Sequence, residues 1–229
     1  MNTMYETLMS LPLFKGAGAE LISAFLEKTH LSFESYAPGE TVITPGESCM
    51  SVKSLLSGSC ALHHPLFSGH LVVTETVPAG SMLGAQYLFG RDTCYNFSAV
   101  SKEKCGIMEF PKTQYFALLQ TNQIFLMNYL NFLALRVQKE EEALASRKNA
   151  TLAFFLSYIV DLTTNRNSSD ISVESQGASV EEILFHQARF DSGEIRDLEE
   201  AGVIRPVSDR RLEIPSRYRL MEFAGIARS

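Results

Sequence analysis

The chain has 229 residues, 45% of them hydrophobic and 20% charged, with a formal net charge of −6. That length suits two small domains, each large enough to bury a core. The acidic balance excludes a generally basic nucleic-acid binder, so any DNA contact must come from a local cluster of arginines. The most apolar stretch, Ile124 to Val137, is broken by Asn128 and Asn131 and is too short to span a bilayer. The N-terminus has no basic region followed by an apolar run, so the expected location is cytoplasmic.

The first third opens with two short helical patterns, Tyr5–Ser10 and Ala19–Lys28, the second with Leu21, Ile22, Phe25 and Leu26 at helical spacing. From His30 to Phe110 the texture changes to short β-like runs closed by Pro45-Gly46, by Pro78-Ala79-Gly80 and by Pro111. Turns at this spacing predict an antiparallel roll or barrel of about eight strands.

After Pro111 the pattern turns helical to about Thr163. Its central segment, Gln123–Leu144, starts apolar on nearly every face and ends in Lys139-Glu-Glu-Glu142. A helix apolar all round must be buried on more than one side. One side can cover the roll, and the same helix of a second subunit is the simplest cover for the other.

The polar stretch Thr163–Gly177 reads as a connector with one short strand at Asp170–Val173. Next come a helix over Val180–Phe185, a second helix over Gln187–Ala201 that stops at Gly202, and a hairpin from Ile204 to Ile214 with a polar tip. Helix, helix and a two-stranded wing form a winged helix.

Several of these segments resemble, in order, the Crp/Fnr family of bacterial transcription regulators. They are Leu11-Pro-Leu-Phe14, Pro38-Gly-Glu-Thr-Val-Ile43 with Pro45-Gly46, and Leu55-Leu-Ser-Gly58. Gly80-Ser-Met-Leu-Gly84 with Leu88-Phe89 is similar to the start of the family's phosphate-binding cassette, and Leu198-Glu-Glu-Ala-Gly-Val-Ile204 to the end of its recognition helix. The resemblance spans essentially the whole chain. It implies an α+β fold: an N-terminal antiparallel β-roll, double-stranded and jelly-roll-like (1–120), a long dimerisation helix (121–146) and a C-terminal winged helix-turn-helix (147–229). The implied function is that of a homodimeric DNA-binding regulator and not an enzyme, with double-stranded DNA as partner and RNA polymerase as a further candidate.

The departures from the family pattern shape the rest of the reading. Members that bind cyclic nucleotides carry a glutamate just after the cassette's second glycine and an arginine a few residues later. Here Ala85 follows Gly84, the later stretch is Tyr95-Asn-Phe-Ser-Ala99, and the nearby cation, Arg91, lies in a loop. A phosphate buried without a cation is costly, so cyclic AMP is not expected to bind. The expected effector pocket is apolar: Met82, Leu83, Gly84, Ala85, Tyr95, Asn96, Phe97 and Ser98 against Phe125, Met127 and Tyr129. It would take a hydrophobic or aromatic effector, haem included, or none.

In the helix-turn-helix, the positions of the family's turn glycine and Ser-Arg opening are held by Phe185 and Gln187-Ala188. Base contacts are expected from Gln187, Arg189, Ser192 and Arg196. Phosphate contacts are expected from Arg205, Arg210 and Arg211 of the wing, with Arg217 and Arg219 behind it. The predicted recognition helix is net acidic, which supports the rival reading of a degenerate member working as a protein-interaction module.

No cofactor is required by these residues. His63-His64 and His70 read as surface histidines, since adjacent strand residues point to opposite faces. A haem- or redox-sensing regulator is the alternative, with Met82, Cys94 or a histidine as axial ligand. Cys49, Cys60, Cys94 and Cys105 are widely spaced and read as free thiols, Cys60 and Cys105 in the core and the other two nearer turns.

Overall fold

The computed structural model describes residues 6, 8–9, 11–145, 151–165, 167–188 and 190–226. They fall into two compact units: Met1–Ala61 with Val77–Leu135, and Leu62–Thr76 with Arg136–Ser229. Of the expected helix Tyr5–Ser10 only Glu6, Leu8 and Met9 are described, and all three are helical.

The first unit is an antiparallel roll with helices at its ends. A 3-10 turn at Pro12–Phe14 leads into α1 (Ala19–Lys28), whose Ile22 and Phe25 are buried on the face that the apolar spacing marked. Eight strands follow: β1 (Ser32–Tyr36), β2 (Thr41–Ile43), β3 (Ser51–Ser57), β4 (Ser59–Leu66), β5 (Leu71–Pro78), β6 (Met82–Leu83), β7 (Ser98–Ser101) and β8 (Cys105–Pro111). One sheet has the order β1-β8-β3-β6. Gly58 turns β3 into β4 at φ +77°, and a Cβ there would come 2.6 Å from the Lys104 carbonyl oxygen, so only glycine fits this turn.

The roll is closed by α2 (Lys112–Thr121) and α3 (Gln123–Ala145). Phe14, Phe25, Phe110, Phe125, Tyr115 and Tyr129 pack edge to face beneath them, with ring centroids 5.1–6.3 Å apart. The structure divides α3 by depth. Phe125 and Tyr129 are buried, while Ile124, Met127, Leu130, Leu135 and Val137 are exposed. Asn128 has a structural explanation, since its amide nitrogen donates to the carbonyls of Leu13 (3.2 Å) and Lys15 (2.8 Å). The expected dimerisation helix ended at residue 146, which lies outside the described residues.

The second unit contains α4 (Leu152–Thr163), β9 (Ser169–Ser175), α5 (Val180–Ala188), α6 (Ser192–Glu200), β10 (Arg205–Ser208), β11 (Arg211–Ile214) and α7 (Arg217–Phe223). Its strands run β10-β11-β9-β5-β4. Two sequence expectations change here. The connector is not mainly loop, because β9 spans seven residues and pairs on both edges, with β11 and with β5. The hairpin Leu62–Thr76, expected to belong to the sensor, is part of this second unit. Leu71 and Val73 of that hairpin share one core with Leu156, Ile171, Val173, Leu184, Leu198 and Leu220.

Candidate functional site

The cassette begins where β6 ends. Gly84 takes φ +69°, and a single 3-10 turn, Ala85–Tyr87, follows. Aromatic side chains crowd Gly84. A Cβ at Gly84 would meet Tyr95 at 2.5 Å and Phe97 at 3.3 Å. Tyr87, Tyr95 and Phe97 pack on one another with centroids 5.7–6.0 Å apart. Tyr95 is fixed along its backbone, donating to the Glu47 carbonyl (2.9 Å) and accepting from Gly46 (2.7 Å), so the Pro45-Gly46 turn holds the ring in place.

From the helical side, Tyr129 donates its hydroxyl to the Ala85 carbonyl (3.3 Å), and Phe89 packs on Tyr129. Burial pushes the Tyr129 phenol up to about 12 and raises Tyr95 and the Cys49 thiol beside it. The apolar surroundings favour the neutral form of these three groups.

The expected pocket residues differ in depth. Leu83, Ala85, Tyr95, Phe97, Phe125 and Tyr129 are buried, with Gly84 against the rings and Met82 and Ser98 partly covered. Met127 leaves the set, because it is 52% exposed on the opposite face of α3 from Phe125 and Tyr129. Asn96 is exposed and accepts from the Tyr87 hydroxyl.

The cations near the cassette are committed elsewhere: Lys53 to Glu109 at 2.5 Å, and Lys112 over the Phe89 ring at 5.3 Å. Arg91 is exposed. These residues do not fit a cyclic phosphate. The open groove on the roll, lined by Glu34, Ser35, Tyr36, Glu40 and Thr41, is acidic and equally unsuited to one.

Of the histidines expected on the surface, His70 is exposed, while His63 and His64 are partly covered and engaged: His63 Nδ1 with Thr74 Oγ1 (3.0 Å) and His64 Nε2 with Glu75 (3.1 Å). Among the described residues no group of three or more His, Cys, Asp or Glu side chains could hold a metal ion. Cys49, Cys60 and Cys105 are buried and Cys94 is partly exposed. Cys60 and Cys105 lie 3.9 Å apart, and burial pushes the Cys60 thiol up to about 12.

In the second unit, α5 and α6 form the helix pair and β10–β11 the wing. The expected single helix Gln187–Ala201 is two: α5 ends at Ala188 and α6 starts at Ser192. Asp191 breaks them apart by capping α6, accepting from Gly193 (3.0 Å), while Glu194 accepts back from the Asp191 amide (3.2 Å). Gln187 therefore lies on the first helix of the pair, exposed at its end. Arg189 and the Ser192 side chain lie outside the description, although Ser192 heads α6.

Carboxylates hold most of the arginines. Arg196 donates to Glu200 (2.8 Å), Arg205 to Glu213 (3.1 Å), and Arg211 sits on Glu174 (3.1 Å) and Glu213 (3.6 Å). Arg210 stands exposed at the wing tip. Arg217 was expected near DNA, but the structure places it in a largely covered ion pair with Asp161, where burial lowers its pKa. The pairing pattern was not legible in sequence, since Glu174 and Arg211 meet only through the β9–β11 register.

No helix among the described residues is long and apolar enough to cross a membrane. Among curated proteins, none matches the chain in sequence. Residues 33–122 match the family model of the cyclic nucleotide-binding domain. The catabolite activator protein of Thermus thermophilus is similar at 21% identity and a TM-score of 0.52, over 94% of this chain and 100% of that one. The sensor domain of the transcriptional regulator DNR from Pseudomonas aeruginosa is similar at 19% identity and a TM-score of 0.51, over 60% of this chain and 90% of that one. Residues 33–122 thus resemble a cyclic nucleotide-binding domain, and the chain has the fold of the catabolite activator protein.

Proposed function

We propose that this chain is a homodimeric, DNA-binding transcription regulator of the cytoplasm whose signal is not cyclic AMP. The observation that carries the reading is the α5–α6 pair with its β10–β11 wing, carried by the same chain as a long helix with an exposed apolar face. Ile124, Met127, Leu130, Leu135 and Val137 on that face fit a second copy of α3, and two-fold pairing would present two winged helices to successive major grooves. The cassette's own aromatic rings support a sensor that works without a cyclic nucleotide.

A second reading is supported by α6, where Arg196 stands against Glu194, Asp197, Glu199 and Glu200. A groove lined with phosphates repels such a helix, whereas a basic protein surface would accept it. Gel-shift titration of the protein's own upstream DNA at two salt concentrations separates the readings. Saturable, salt-sensitive binding is expected, and its absence on all genomic DNA would establish the interaction module.

A further inference from the structure

Two of the buried thiols meet across the roll. Cys60 lies in β4 and Cys105 in β8, strands of different sheets, and their sulfurs stand 3.9 Å apart. Both belong to the first compact unit. The chain around them builds this approach. Gly58 at the β3–β4 turn lets the backbone close onto Lys104 and Cys105, where any side chain would clash. The next residue, Ser59, accepts at its carbonyl from the Lys102 amide (3.0 Å) and donates its hydroxyl to the Glu103 carboxylate (2.7 Å). These bonds fix the start of β4 beside the segment that leads into β8.

The chemistry open to such a pair is narrow. Burial, and then Cys105 beside it, push the Cys60 thiol up to about 12, so the site disfavours thiolates. A soft monovalent cation held by two thiolates would leave one uncompensated negative charge in this buried place. Among the described residues no third His, Cys, Asp or Glu joins the pair to hold a divalent metal. A disulfide, by contrast, is neutral. Forming it requires the sulfurs to move from 3.9 Å to about 2.05 Å.

We propose that Cys60 and Cys105 form a redox latch, which ties the two sheets of the roll together when the chain meets a disulfide oxidant. Cys105 reacts first, because it directly follows the exposed segment Lys102–Lys104. Opening of that segment brings Cys105 to solvent together with two ammonium groups, which favour its thiolate. The thiolate attacks one sulfur of the oxidant. That S–S bond breaks, and the departing thiolate takes up the proton that Cys105 released. On reclosure the Cys60 sulfur attacks Cys105 Sγ of the mixed disulfide, expels the second thiolate and passes its proton to it. The two cysteines lose two electrons, and the oxidant is reduced to two thiols. The need for opening makes the latch slow to close, and burial then shields the bond from reductants.

Incubating the folded full chain with oxidised glutathione, followed by mass spectrometry of a non-reducing digest, tests the latch. The wild type should yield one cross-linked peptide pair, Cys60 with Cys105. In Cys60→Ala the second step has no thiol, so Cys105 should stop at the mixed disulfide and retain glutathione. The bond joins residues 45 apart in sequence, and the oxidised protein should melt several degrees above the reduced one. Glutathione on Cys94 with Cys60 and Cys105 still reduced would overturn the proposal. So would a cross-link between two chains, or an oxidised form that melts below the reduced one. If Cys60→Ala fails to fold, the wild-type digest and melting temperature decide alone.

Discussion

The Tyr95 ring occupies the place of a Gly84 side chain: a Cβ on Gly84 would come 2.5 Å from Tyr95 Cε1. A ligand that approaches Gly84 from this side must displace the ring, which backbone bonds to Gly46 and Glu47 hold in place. It would then find Lys53 and Lys112 already held by Glu109 and the Phe89 ring. Calorimetry with millimolar cyclic AMP should therefore give no saturable heat. A dissociation constant below about 10 µM, roughly 7 kcal/mol of binding free energy, would show that the rings move and that another cation neutralises the phosphate.

The exposed apolar face of α3 leads to a mass measurement. Light scattering of the wild type at micromolar concentration should give twice the chain mass. Leu130 is 47% exposed in one protomer, so Leu130→Asp leaves the protomer's own core intact. In a two-fold seam the same change buries an unpaired carboxylate, at a cost of several kcal/mol. The variant should be a folded monomer. A wild-type monomer, or an unaffected dimer in the variant, would remove α3 from the seam.

How much of this was legible in the sequence depends on the range of the interactions. The α1 face with Ile22 and Phe25, the turn at Gly58 and the helix stop at Gly202 are set by local spacing and by single residues, and they read directly. The break between α5 and α6 was also written locally, in the capping box of Asp191 and Glu194 three residues apart. The β5–β9 pairing was not legible. It joins segments about a hundred residues apart, and Ser169–Ser175 is too polar at its start to look like an inner strand. The cassette falls between the two cases. The missing arginine is visible in sequence, but the closing of the space by Tyr95 and Phe97 requires the fold.

His63 gives a pH dependence whose sign follows from its surroundings. Burial lowers its pKa from 6.5, its neighbour His64 acts in the same direction, and the Glu174 carboxylate opposes them. The folded state therefore holds this ring neutral, while the unfolded chain takes up a proton as the pH falls below 6.5. Its contribution to stability is present above that value and is lost as the pH falls through the lower, folded one. Denaturant titrations at about pH 7.5 and about pH 5 should show this loss, and His63→Gln should reduce it. If His63→Gln changes nothing in the difference between the two pH values, the proton is taken up elsewhere.

The wing provides the most exposed prediction, because its arginines are unequal. Arg205 and Arg211 must leave Glu213 and Glu174 before they can meet a phosphate, whereas Arg210 extends from the wing tip. Arg210→Ala should weaken binding to every sequence alike and flatten the salt dependence by about 0.9, the share of one phosphate contact. Glu213→Gln should act in the opposite direction, since it removes a negative charge and frees Arg205, while Arg211 keeps its pairing with Glu174. Arg196 is held by Glu200 on the exposed side of α6, and changing it to alanine should relax preference at particular base pairs by roughly 1–3 kcal/mol. Binding should be measured for all three variants across a salt series. If Arg210→Ala binds like the wild type at every salt concentration, the wing serves the fold alone and contributes nothing to phosphate contact.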